Sequence, residues 1–221
     1  LIGSEYANLY PNLDSGSLHY AAFSYLQPVS EYVAFALGVD YLTSSDLYSE
    51  GEANFTFAFR PGIFPVSIGL TGRYLFRVFA DNEFTSYDPL FALNGQKGQG
   101  IGINAGFQAE LGRTATISGV AQNIIKPDLG LGEVDEEPMR FSLGAAFYPS
   151  FATPTVQVDY GMERIAGKLD LSFSAGFEKW IGSSSNWGIR SGYTFRASGL
   201  SHEASAGFSA RTEGSIPIQL D

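Results

Sequence analysis

From residue 53 onward, Ala53, Phe55, Phe57 and Phe59 fall on one side of an extended chain, while Glu52, Asn54, Thr56, Ala58 and Arg60 fall on the other. Successive side chains of a strand point to opposite faces, so this alternation predicts a β-strand with one apolar and one polar face. After Pro65 the pattern returns. Val66, Ile68, Leu70, Gly72, Tyr74, Phe76 and Val78 oppose Ser67, Gly69, Thr71, Arg73, Leu75 and Arg77. Further copies cover 101–111, 115–122, 140–148, 155–160, 169–180, 187–196 and 203–210, and two more, 18–26 and 32–41, come earlier. These make eleven strands, with 216–220 beginning a twelfth, and no helical stripe accompanies them. Turn signals such as Pro61-Gly62 and Gly112-Arg113 separate the segments. The reading is all-β, with residues 1–221 forming a single domain.

Most of these segments approach the roughly 9 to 11 residues that a tilted transmembrane strand requires, whereas soluble strands average about 5 or 6. A soluble barrel and an outer-membrane barrel both alternate, so the composition of the polar face decides between them. Here that face is mostly small, as in Gly102, Gly106, Gly144, Ser172, Ser174, Gly188 and Gly192, and the whole chain has four Lys. Small residues suit a narrow, curved lumen. Among them sit Arg73, Arg77, Glu110, Arg140, Asp159, Asp170, Glu178 and Arg190, which are the predicted lumenal charges. The other face runs through Phe, Leu, Ile and Val, with Tyr41, Phe79, Tyr148, Tyr160, Trp180 and Trp187 near strand ends as expected of interfacial girdles. The prediction is a transmembrane antiparallel up-and-down β-barrel in a bacterial outer membrane, in contact with its lipid.

Outer-membrane barrels join their strands by short turns at one end and longer loops at the other. Links 27–31, 60–65, 112–113 and 149–154 are short, and they alternate with long links at 42–51, 80–99 and 124–139. On that parity neither end of the visible strand set lies where such a barrel closes. At least one strand is then expected to be missing at each end, and a complete barrel would hold roughly fourteen.

Chemistry is sparse. There is no Cys, which removes thiol nucleophiles and cysteine-held metals, and His19 and His202 form no metal-binding pattern. Ser205 near His202 lacks the surroundings of a hydrolase nucleophile, and Gly98–Gly102 (GQGIG) precedes no helix that could bind phosphate. The acidic run Glu133, Asp135, Glu136 and Glu137 lacks calcium-loop spacing and reads as a solvated loop. Thirteen Lys plus Arg against 23 Asp plus Glu give a net charge of −10, which disfavours nucleic acid. No enzyme activity, cofactor or metal is expected, and oligomeric state is left open. Glu178 and Arg190 fall on adjacent strands, close enough to pair across the hairpin. The loop 80–99 carries Phe84, Tyr87, Leu90 and Phe91, apolar for an exposed loop, and is the expected partner-binding element.

The stretch Asn123-Ile-Ile-Lys-Pro-Asp-Leu-Gly-Leu-Gly132, with Pro138 and then Phe141-Ser-Leu-Gly144 opening a strand, resembles the PorV and PorQ outer-membrane proteins, relatives of the FadL fatty-acid transporters. Phe177-Glu178-Lys179-Trp180, Ile189-Arg190-Ser191-Gly192-Tyr193 and the final Ile216-Pro-Ile-Gln-Leu-Asp221 are further echoes. The resemblance implies a noncatalytic barrel of about fourteen strands that receives cargo and hands it on in type IX protein secretion, with other envelope or secretion proteins as partners. Two alternatives stand beside this expectation. One is a FadL-like transporter of hydrophobic compounds, and the other is a structural barrel in an envelope array.

Overall fold

The computed structural model describes residues 1–9, 17–44, 47–62, 64–162, 169–182, 187–198, 200–211 and 219–220. Its strands are β1 (Ile2–Asn8), β2 (Leu18–Pro28), β3 (Val33–Ser44), β4 (Tyr48–Phe59) and β5 (Val66–Phe79). Two short helices, α1 (Glu83–Tyr87) and α2 (Pro89–Asn94), precede β6 (Lys97–Leu111), β7 (Ala115–Ile125) and β8 (Arg140–Phe147). Then come β9 (Thr153–Met162), β10 (Leu169–Ile181), β11 (Trp187–Arg196), β12 (Ser201–Arg211) and the two-residue β13 (Gln219–Leu220). All thirteen belong to one sheet in sequence order, each strand beside its chain neighbours, which is the up-and-down arrangement that alternation predicts. By contacts the chain forms two compact units. Unit 1 is Leu1–Gly106 with Ala121–Met139, and unit 2 is Phe107–Val120 with Arg140–Asp221.

Burial settles which face is wet. Phe55 is 51% exposed and Leu70 55%, and Leu37, Val39, Leu143, Phe173, Ile189 and Phe208 are exposed like them. Among the described residues the buried apolar side chains are few, Leu75, Ala115, Pro127 and Leu129, whereas the polar Thr85, Asn123 and Ser209 are buried. A water-soluble domain of this size would bury its large apolar side chains. Here each strand turns them outward, the inside-out distribution of a sheet that meets hydrocarbon. Backbone pairing is continuous: Val33 to Ser44 of β3 faces Phe59 to Tyr48 of β4 without a bulge.

Several boundaries differ from the sequence reading. Residues 42–44 and 48–51 are strand rather than long loop, since β3 and β4 pair as far as Ser44 and Tyr48 and Thr43 and Ser49 share a hydroxyl hydrogen bond of 2.8 Å. The Ser and Thr content of these stretches mimics a loop, yet their side chains still alternate. β1 was not foreseen, because Ile2–Asn8 is short and mixed in polarity. It pairs with β2 from Ile2 opposite Tyr25 to Asn8 opposite His19. Of the expected strand 216–220, residues 216–218 lie outside the described set.

The loop between β5 and β6 is partly helical. Asp88 caps α2 by accepting from the Leu90 amide at 2.8 Å, Pro89 opens the helix, and Gly95 closes it at φ 76°. Two aromatics expected in the outer girdle sit instead on the polar face. Trp180 has the parity of Glu178, and Phe79 packs against Tyr48 and Phe91 at ring separations of 5.4 and 5.2 Å.

Candidate functional site

In unit 1 the polar faces of β4 and β5 bring together charges from both strands. Register sets Asn54 opposite Arg73 and Glu50 opposite Arg77. Arg73 donates through Nε to Glu52 Oε1 at 2.7 Å, through Nη2 to the second carboxylate oxygen, and through Nη1 to Asn123 Oδ1 at 2.6 Å. This bidentate geometry uses the guanidinium fork on a pair that is mostly buried, with side chains 17% and 16% exposed. Arg77 donates to the Tyr48 hydroxyl at 2.8 Å and to Asp135 Oδ2 at 3.0 Å, and Tyr48 in turn donates to Glu50.

Asn123 is the junction of this network. It is buried and holds a left-handed backbone at φ 55°, a conformation that Asn tolerates better than most residues. Its amide accepts from Arg73 and donates to the Pro138 carbonyl at 3.0 Å, and its backbone N–H donates to Asn104 Oδ1 at 2.9 Å. Both ends of the segment 126–139 are therefore tied at one residue. Between them the segment braces itself: Asp128 Oδ1 accepts from the amides of Gly130 and Asp135 at 2.9 and 2.8 Å, and the Glu137 amide donates to the Pro127 carbonyl at 2.9 Å. The Asp135 and Gly130 amides hold the Asp128 carboxyl below the ordinary carboxylate range.

The braced loop lies on β6, whose glycines supply the surface. A Cβ on Gly98 would collide with the Leu129 carbonyl, one on Gly100 would come within 2.8 Å of the Asp128 carbonyl oxygen, and one on Gly102 within 3.3 Å of Pro127 Cδ. This is the physical reason for the Gly98–Gly102 run, which accepts close backbone approach. Pro127 and Leu129 are buried against it. Asp135 thus belongs to an ion pair with Arg77 and not to a wholly solvated acidic loop.

The polar face of unit 2 is built differently. Thr116, Ser118, Gly144, Thr155, Ser174 and Gly192 line a concave space of about 630 Å³. At its edge Glu178 and Arg190 lie directly opposite in register, with Arg190 Nε 2.6 Å from Glu178 Oε2, and Trp180 Nε1 donates to Glu178 Oε1 at 2.6 Å. Asp159 accepts instead from Gln157 at 2.7 Å and Ser172 at 3.1 Å. Glu110 is half-buried near the end of β6, and Arg140 is exposed at the start of β8.

Ser205 pairs with Gly192 on the concave face, while His202 pairs with Phe195 on the opposite face and meets the Tyr193 hydroxyl at 2.5 Å. An odd spacing along one strand separates the two. In the β5–β6 loop, Tyr87 is 87% exposed and Leu93 84%, Leu90 is exposed, and Phe91 packs on Phe79. Phe84 lies in α1, with its side chain outside the described set. Sequence reading passed over Tyr48, Glu52, Asn123 and Asp135 as site residues. The one available signal was the Asn at the head of the Asn123–Gly132 motif.

No protein-family model matches the chain, and no curated protein sequence matches it. Solved structures do. The chain superimposes on the Ralstonia pickettii toluene transporter TbuX with a TM-score of 0.64 at 11% identity, over 99% of this chain and 80% of that one. The KdgM porin gives 0.50 at 7% identity, over 94% and 95%. Pseudomonas aeruginosa OccK1 (OpdK) gives 0.51 at 12%, over 98% and 60%. At such identities the likeness is one of fold, and the fold is that of a transmembrane, up-and-down outer-membrane β-barrel.

Proposed function

We propose that this chain is a noncatalytic bacterial outer-membrane barrel that passes small compounds of low polarity along its polar faces, in the manner of FadL-like transporters. The observation that carries the reading is the concave face of unit 2, about 630 Å³ lined by hydroxyls and glycines, on strands whose other face is apolar and exposed. A face of that kind admits solute without presenting a dense field of charge. The likeness in fold to the toluene transporter TbuX and to the KdgM porin supports transport over secretion. Lipid is then its obligatory surrounding, and no cofactor or metal takes part.

Reconstitution tests the proposal. Liposomes carrying the purified protein should admit small neutral solutes and simple aromatic compounds faster than empty liposomes, and Gly144→Phe should slow entry severalfold. A Cβ at Gly144 has ordinary contacts of 3.5 Å with Ser118 and Val156, so the ring can be carried into the concave space without backbone collision. Equal permeability with and without protein would overturn the reading.

A second reading, a partner in protein secretion or surface assembly of the PorV kind, is favoured by the exposed Tyr87 and Leu93 of the β5–β6 loop. It requires that the barrel purify in mild detergent with a defined envelope protein, and that Tyr87→Ser with Leu93→Ser release that protein. Purification alone, with solute transport intact, favours the first reading.

A further inference from the structure

We infer that the segment 126–139 is a preformed lid, seated on the glycine row of β6 and latched at its side by the Arg77–Asp135 ion pair. Four observations converge on this. Both ends of the segment are pinned at Asn123, which supplies a fixed pivot through Arg73 and the Pro138 carbonyl. The segment is a body in its own right, braced by Asp128, by the Leu129 amide to the Asp135 carbonyl at 3.1 Å, and by Lys126 to Glu136 at 3.5 Å. Its seat is smooth, since Gly98, Gly100 and Gly102 offer no side chains to interlock with Pro127 and Leu129. Finally, the two ion pairs differ in burial. The pivot pair Arg73–Glu52 is mostly buried on both sides, whereas Asp135 of the latch is 39% exposed.

A braced body on a smooth seat moves as a unit once its lateral tie is released. Water and salt reach the latch carboxylate, so the latch is the weaker of the two ion pairs, and it opens before the pivot. Beneath the lid lie the polar faces of β5 and β6, which the closed loop occupies. On the transport reading, from which the lid takes its role, opening clears that part of the route for solute.

The cysteine-free chain permits a direct test. Leu129→Cys places a single thiol on the lid's own underside, at a position 4% exposed against β6, and maleimide labelling of the folded full chain in detergent reports the open fraction. Arg77→Gln or Asp135→Asn in that background should speed labelling about two- to fivefold, the effect of losing an ion-pair interaction of this class. The double variant should be no faster than either single one, because both break the same tie. Raising salt from about 0.1 to 1 M should speed the latched protein and leave the unlatched variants unchanged. Unchanged rates in both single variants, or rates that multiply in the double, overturn the lid.

Permeation in liposomes supplies the second readout. Faster labelling with faster solute entry supports the lid as a gate, and faster labelling with unaltered entry overturns its gating role. If no protein in the series conducts, the transport reading fails, while the labelling rates still decide whether the lid exists.

Discussion

Units 1 and 2 run the same alternation of apolar and polar positions, yet their polar faces are finished in opposite ways. Unit 1 concentrates Glu50, Glu52, Arg73 and Arg77 and lays a braced loop across its glycines. Unit 2 lines its polar face mostly with Ser, Thr and Gly, carries among the described residues one ion pair of comparable length, and leaves a concave space. The contrast shows that an up-and-down sheet sets only which side is polar. Whether that side is filled depends on a few long side chains and on one loop. In unit 1 Glu50, Glu52, Arg73 and Arg77 each have a fixed partner at hydrogen-bond distance, so these charges organise structure. In unit 2 the polar atoms are short and dispersed, which leaves room.

The largest test of this contrast lies at the pivot. Arg73→Ala would leave Glu52 mostly buried without its bidentate partner and remove a donor to Asn123. It should destabilise the protein by about 3 kcal/mol, as measured by denaturant unfolding in lipid vesicles. The equivalent change in unit 2, Arg190→Ala, should cost about 1 kcal/mol or less, because that pair is about one-third exposed. Equal losses would erase the distinction between an organising and an incidental ion pair.

Next in size is the glycine seat. Gly100→Ala sets a Cβ 2.8 to 2.9 Å from Asp128 and Pro127, and should cost about 1–3 kcal/mol or lift the loop, seen as faster proteolysis within 126–139. Gly72→Ala is the control. It meets nothing within 4 Å, and its effect should stay within about 0.5 kcal/mol. A neutral Gly100→Ala would mean that the loop does not press on β6.

The smallest effect concerns acid. The carboxyl of Asp128 is held below its ordinary value of 3.8 by the Asp135 and Gly130 amides, so its contribution is fully present above that value and disappears as pH falls through the lowered one. Asp128→Asn should therefore weaken protection of those two amides from hydrogen exchange at pH 5, and the difference from the native chain should vanish well below pH 3.8. A difference that persists in strong acid would show that the bond does not depend on charge.

Much of this was legible in the sequence, and the exceptions have physical causes. Alternation through Phe55, Phe57 and Phe59, repeated along the chain, identifies the strands and the outward face because side-chain parity is a local property. Glu178 and Arg190 could be matched for the same reason, since a short hairpin link keeps register near. Contacts that join distant segments were not visible. Asn123 lies 50 positions from Arg73, and Asp135 lies 58 from Arg77. Polar residues near strand ends misled in both directions. Thr43, Ser44 and Ser49 read as loop by composition although they belong to β3 and β4, and Trp180 reads as outward by its chemistry although parity turns it inward.

The inside-out alternation has a further consequence for the unfolded chain. Because the outward Phe and Leu residues alternate with inward residues that are mostly small, polar or charged, the average is neutral, with a mean hydropathy of +0.00, and no described helix is long and apolar enough to span a bilayer. The affinity for lipid is thus latent in the extended polypeptide and is assembled only when neighbouring strands align their odd or even positions into one surface. Such a polypeptide can traverse an aqueous compartment without offering an apolar stretch long enough to span a bilayer, and it commits to a membrane only as its sheet forms.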